Sequence, residues 1–237
     1  MNFTGIKPDA IMLLAENRFN DSKAFYEEHK KQINEGAVIP MRQIVDDLSD
    51  LFERINPDII LDTRRCLSRV RRDTRFTHDK TLYRENLWLM FRHQKNTLPT
   101  PSMWFEFSPS GYNYGCGIIS STPAFMEYWR KQIKANPEPL IKATEKAEAA
   151  GLKIESNAYK RSKAAADSVT DETLAKWYDQ KCAFMIKEVS GVKRLNEPKK
   201  LINELKKAYT ALSDLYRYML SITTRYNSEE LYSYEEN

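Results

Sequence analysis

The early part of the chain spaces its apolar residues at helical intervals. Pro8 suits the first turn of a helix containing Ile11, Leu13 and Leu14. Asn20 is placed to cap a second helix through Phe25, Tyr26, His29 and Ile33, with Gly36 positioned to end it. Ile44, Leu48, Leu51, Phe52 and Ile55 recur at three- and four-residue steps, predicting a third amphipathic helix that closes near Asn56-Pro57. The period then changes, and residues 66 to 119 read as a sheet. Leu87 to Phe91 is an apolar run of strand length, and Met103 to Phe107 sets Phe105 and Phe107 on one face with Glu106 on the other. Ser108-Pro109-Ser110-Gly111 reads as a turn into a returning strand, Tyr112 to Ile118, which makes the pair an antiparallel hairpin. Asn113, Gly115 and Gly117 share a face of that strand, where glycine permits a bulge or the close approach of another backbone or a ligand.

Thr122-Pro123 opens a further helix through Phe125, Tyr128, Trp129 and Ile133, broken at Asn136-Pro137 and followed by a charged, Ala-rich stretch to Gly151. Lys153 to Asp167 has little periodicity and reads as an extended surface segment. A short helix near Thr173 to Tyr178 then leads into a strand at Cys182 to Ile186. Leu201, Leu205, Ala208, Leu212, Leu215, Met219 and Ile222 form one regular seam, which predicts a helix from about Pro198 to Tyr226. Such a seam can join two chains, although a long helix laid across its own domain is the commoner arrangement. The expected fold is α+β, an antiparallel sheet packed by helices with a long C-terminal helix. Residues 1–226 are expected to form a single domain, and 227–237 an acidic, disordered tail.

Composition fits a folded domain: of 237 residues, 41% are hydrophobic and 11% aromatic. No apolar run approaches the roughly 18 residues that span a bilayer, and Met1 to Ala10 holds no apolar core of signal-peptide length. Cys66, Cys116 and Cys182 lie far apart without paired C-x-x-C spacing, so reduced thiols are expected, and with them a cytoplasmic setting and no membrane partner. Charge changes the picture more. Between Arg64 and Lys95 ten Lys/Arg residues face three acids, a local balance of +7 in a chain whose total is +4, so the remainder is −3. Basicity confined to one region points to a local anion site more than to a protein that coats nucleic acid along its length.

The centre of that region is Arg69-Val70-Arg71-Arg72-Asp73-Thr74-Arg75-Phe76-Thr77-His78-Asp79-Lys80. If residues 67–75 are extended, Arg69, Arg71, Asp73 and Arg75 lie on one face, with Val70 and Arg72 on the other. In a structural reading, Asp73 and Asp79 pair with neighbouring arginines and Phe76 anchors the loop in the core. In a functional reading, guanidinium groups left uncommitted hold a carboxylate or phosphate, with Lys80 as a further point charge. The ligand-binding candidates are Arg69, Arg72, Asp73, Arg75, Lys80 and Arg84. His78, Asp79 and Tyr83 are the candidates for acid–base work. His29 and His93 lack the spacing of a metal site, and no phosphate-cradling or dinucleotide loop is present, so neither a metal nor a cofactor is expected.

The stretch from Arg69 to Arg84 resembles the signature R-I-x-R-D-T-R-F-S-x-D-K-x-P-Y-K of the family called domain of unknown function 2461. Asn20 to Tyr26 is similar to that family's N-x-x-x-x-W-F segment, and the strand Tyr112 to Gly117, Tyr159-Lys160-Arg161 and Trp177-Tyr178 fall in matching order. The resemblance spans residues 8 to 222. Thr77 stands for the usual Ser, Leu82 for Pro and Arg84 for Lys, and losing the proline removes a constraint on φ just before Tyr83. The resemblance implies no activity.

Three functions fit the residues. One is a module that binds a phosphate- or carboxylate-bearing ligand through the Arg/Lys cluster. The second is an enzyme acting on a phosphorylated or acidic metabolite. The third is a nucleic-acid-binding module in which Trp88, Trp104 or Tyr114 stacks on bases.

Overall fold

The structure is a computed structural model that describes residues 1–95, 99–155 and 157–235, with side chains to residue 228. The expected acidic tail therefore falls almost wholly on side chains outside the described residues. The fold is α+β: an antiparallel five-stranded sheet in the order β1-β2-β3-β5-β4, packed by helices and ending in a long C-terminal helix. The strands are β1 (Leu87–Arg92), β2 (Ser102–Ser108), β3 (Gly111–Ile118), β4 (Lys153–Ile154) and β5 (Ala183–Ser190). Contacts divide the chain into two compact units. One comprises Met1–Phe91, Trp104–Tyr114 and Glu188–Lys206, and the other Arg92–Met103, Gly115–Lys187 and Lys207–Asn237.

The first unit opens with α1 (Pro8–Asn20), α2 (Lys23–Ile33) and α3 (Ile39–Ile55). Pro8 does sit in the first turn of α1, where a missing N–H costs nothing. The cap of α2 is Ser22, whose hydroxyl accepts from the Phe25 N–H at 3.4 Å; Asn20 instead bonds the Glu16 carbonyl at 2.8 Å and closes α1. Nor does Gly36 end a helix. It lies in a π-helical turn, Asn34–Val38, through which α2 runs on into α3. The glycine answers to packing, because a Cβ there would lie 2.5 Å from Ala10 Cβ of α1. Ile44, Leu48 and Phe52 of α3 are buried, and Phe52 stacks on Phe91 of β1 at 4.1 Å. A short helix, α4 (Thr63–Cys66), follows, capped by the Asp62 carboxylate.

In β2 the alternation holds: Phe105 and Phe107 are fully buried while Glu106 is half-buried. Tyr112 and Tyr114 of β3 both donate to Glu204, at 2.9–3.2 Å, and Arg194 lies 3.5 Å from the same carboxylate. Burial and the Glu204 charge push both phenols well above their ordinary range.

In the second unit, α5 (Pro123–Ala135) starts at Thr122, which caps the Phe125 N–H at 3.1 Å, and α6 (Glu138–Ala149) follows. Trp177 of α8 (Glu172–Tyr178) is fully buried and donates its indole N–H to Thr144 at 2.8 Å. The segment expected to be extended, Lys153 to Asp167, contains β4 and a short helix, α7 (Lys163–Ala166). Gly117 of β3 answers the choice left open by the sequence: a Cβ there would fall 2.3 Å from the Ala183 carbonyl of β5, so the glycine permits close backbone approach. The final helix, α9 (Pro198–Glu235), buries its whole apolar seam within one chain, with Leu201, Leu205, Leu212, Leu215, Met219 and Ile222 fully covered.

Candidate functional site

Residues 67–72 and 82–89 pair as a two-stranded arm. Leu67 bridges Leu89 and Arg71 bridges Tyr83, while the Arg72 N–H donates to Leu82 and the Arg84 N–H to Val70. The loop 73–81 lies at its tip. Because the stretch is extended, successive side chains leave on opposite faces and the basic run is split in two.

One part of the run is bound into the arm. Arg72, with a side chain only 16% exposed, pairs with Asp79 and donates to the Thr81 hydroxyl at 2.5 Å. Arg18 of α1 meets the same Asp79 at 2.9 Å, and Thr81 gives that carboxylate its N–H and its hydroxyl at 3.0 and 2.7 Å. These donors, Thr81 foremost, hold the Asp79 carboxyl far below its ordinary range. Arg75 forms a two-pronged bond to Asp73 at 3.0 and 2.7 Å, which lowers the Asp73 pKa to about 2. Lys80 donates to the Thr74 carbonyl at 2.9 Å. The arm is further pinned by Asp21, in the left-handed region at φ 45°, whose carboxylate accepts from the Leu82 and Tyr83 N–H groups at 2.6 and 3.2 Å. A proline at position 82 has no N–H for the first bond. The departure from the family signature at Leu82 thus replaces a fixed φ with a tether to α1's end.

Phe76 does not anchor this loop in the core, being 89% exposed. His78 and Asp79 are exposed on the loop, whereas Tyr83 is buried and stacks on Tyr26 at 4.9 Å. The three do not converge on a common point: Asp79 is filled by Arg18, Arg72 and Thr81, and Tyr83 faces α2. Arg84 sits 4.4 Å over the Trp88 ring, its Nε buried and without a partner among the described residues. Burial, then Arg72, pulls its pKa down against the opposing charge of Glu106. Glu106 itself is held by the amides of Asn86 and, at 3.5 Å, Asn113, and Trp104 donates to Asn113 at 2.9 Å.

The other part of the run opens onto a cleft of about 780 Å³ in the first unit, between α2, the π-turn, α3, α4 and residues 67–71. Six cations line it, Lys30, Lys31, Arg42, Arg64, Arg69 and Arg71, against one acid, Glu27. Glu27, Lys30 and Lys31 share a face of α2 by their three- and four-residue spacing. The π-turn, whose hydrogen bonds reach one residue further than an α-helix's, shifts the face that α3 presents, and Arg42 lines the cleft beyond it. Arg69 and Arg71, two apart on the extended stretch, come in from the other side. Lys30 pairs with Glu27 at 3.1 Å. Among the described residues Lys31, Arg42, Arg64, Arg69 and Arg71 have no ion-pair partner; Arg69 acts on Asp73 only through space. The apolar walls are Ile33, Val38, Leu67 and Val70, and the aromatic wall is Tyr26.

Of the six ligand-binding candidates, Arg69 alone lines this cleft; Arg72, Asp73, Arg75, Lys80 and Arg84 belong to the arm. Lys30, Lys31 and Arg42 escape a reading of local charge density because they lie 22 to 34 residues before Arg64, where the basic run begins. Among the described residues no cluster of His, Cys, Asp and Glu could hold a metal ion, and no helix is long and apolar enough to cross a membrane.

The model of a conserved hypothetical protein family, DUF2461, matches residues 9–218. The chain belongs to this family. Its description assigns no activity, so the DUF2461 match fixes the lineage of the arm and leaves its chemistry to be read from the geometry. A search of curated proteins found no match.

Proposed function

We propose that this DUF2461 protein binds a phosphate-bearing ligand in the cleft between α2, α3, α4 and residues 67–71. The observation that carries the reading is the six-to-one excess of cations over acids along the cleft, with five of the six lacking an ion-pair partner among the described residues. Such a concentration of like charge is self-repelling until an anion enters it. Guanidinium forks suit phosphate and carboxylate oxygens, and four of the six cations are arginines. The reading is of binding rather than catalysis, since His78, Asp79 and Tyr83 are not among the lining residues. A cytoplasmic setting accompanies it, supported by the lack of a disulfide among the described cysteines.

Titration calorimetry with pyrophosphate tests the proposal. The intact protein is expected to bind, and binding weakens as salt rises from ~0.05 M to ~0.5 M. Arg64→Gln with Arg69→Gln weakens it by about tenfold or more, while Arg75→Gln on the arm leaves it unchanged. A loss from Arg75→Gln with none from the cleft pair would move the site to the arm, and equal losses from both would contradict a site confined to the cleft.

A further inference from the structure

We infer that the occupant of the cleft is a compact molecule carrying several phosphate groups and recognised without a nucleobase; the inference rests on the phosphate-binding reading above. Charge sets the first half. Six cations and one carboxylate leave a surplus of five positive charges, and one phosphate, at about two negative charges, offsets less than half of it. A di- or triphosphorylated molecule comes closer to balance, and four arginines can each present a fork to a separate group of oxygens.

The aromatic lining sets the second half. Tyr26 is the cleft's aromatic residue, and its ring is already engaged: Tyr83 stacks on it at 4.9 Å and the Lys30 ammonium sits 5.7 Å from the ring centroid. A base would have to compete with these contacts for the ring, the kind of stacking surface that single strands and nucleotides ordinarily use. The remaining walls, Ile33, Val38, Leu67 and Val70, suit an aliphatic backbone. At about 780 Å³ the space fits a small molecule.

The test is a calorimetric series on the full chain at fixed ionic strength, with orthophosphate, pyrophosphate, tripolyphosphate, ATP and a short oligothymidylate. Affinity is expected to rise about tenfold with each added phosphate, and ATP is expected to bind no tighter than tripolyphosphate. Arg42→Gln with Arg64→Gln, both exposed and so tolerated by the fold, should flatten the series. Equal affinity for orthophosphate and tripolyphosphate would overturn the valence argument with the anion site intact. Tighter binding of ATP or of the oligonucleotide than of tripolyphosphate would overturn base-independence. Failure of every probe to bind would instead remove the phosphate-binding reading itself.

Discussion

Asp79 shows how one carboxylate can decide what a basic run is free to do. It takes two bonds from Thr81 and meets both Arg72 and Arg18, so the signature's second aspartate organises the arm. Its folded pKa is depressed, as is that of Asp73, which falls to about 2. For a depressed carboxylate, the stabilising contribution is present above the unfolded value of about 3.8 and is lost as pH falls through the folded one. Both groups are exposed, so the effect on global stability is small and weakened by salt. Carbon-detected NMR of the side-chain carboxyls should therefore find both still ionised at pH 3, where free aspartates elsewhere are mostly protonated. Titration of Asp79 near its ordinary value would mean that the arm's network does not form in solution. The alternation of the extended stretch was legible from residues 69–75, and so were the Asp73 and Asp79 pairings as one of two readings. The role of Asp21 was not, because a left-handed residue tied to two amides some sixty positions away leaves no local periodicity.

At the level of elements, the helices and strands whose apolar spacing was strong lie where that spacing put them, as in α3, α5, α9 and the β2–β3 hairpin. The misreadings share a cause. Gly36 reads in the sequence as a helix end because glycine is favoured there, yet its absent side chain serves the contact with Ala10, across some 26 residues of sequence. Local propensity favours Ala over Gly inside a helix by about 1 kcal/mol. The contact is expected to win, since a Cβ at 2.5 Å from Ala10 Cβ must displace α1 or the π-turn. Gly36→Ala should thus destabilise the protein, by about 1–3 kcal/mol as overpacking does, and Ala10→Gly in the same chain should restore part of the loss. Urea unfolding of the natural chain and the two variants checks this; a more stable Gly36→Ala would show that the close approach of α1 is not maintained. The same turn matters to the site, because it lies between the α2 face carrying Lys30 and Lys31 and the α3 turn carrying Arg42.

For the molecule as a whole, the excess charge visible in the sequence is resolved in two different ways. The arm ties Arg72 and Arg75 to Asp79 and Asp73, and Lys80 to the Thr74 carbonyl. The cleft gathers cations from α2, α3, α4 and residues 69–71 and leaves most of them unpaired among the described residues. The existence of an anion site was legible from a +7 segment, but its location was not: half of its cations are contributed by helices whose charges look, in sequence, like ordinary solvated faces. The most direct test of the account is a backbone amide NMR titration of the full chain with pyrophosphate. Shifts should concentrate at Lys30, Lys31, Arg42, Arg64, Arg69 and Arg71 and leave Arg75, His78 and Lys80 at the arm's tip unmoved. Shifts centred on residues 73–80, with the cleft silent, would contradict it.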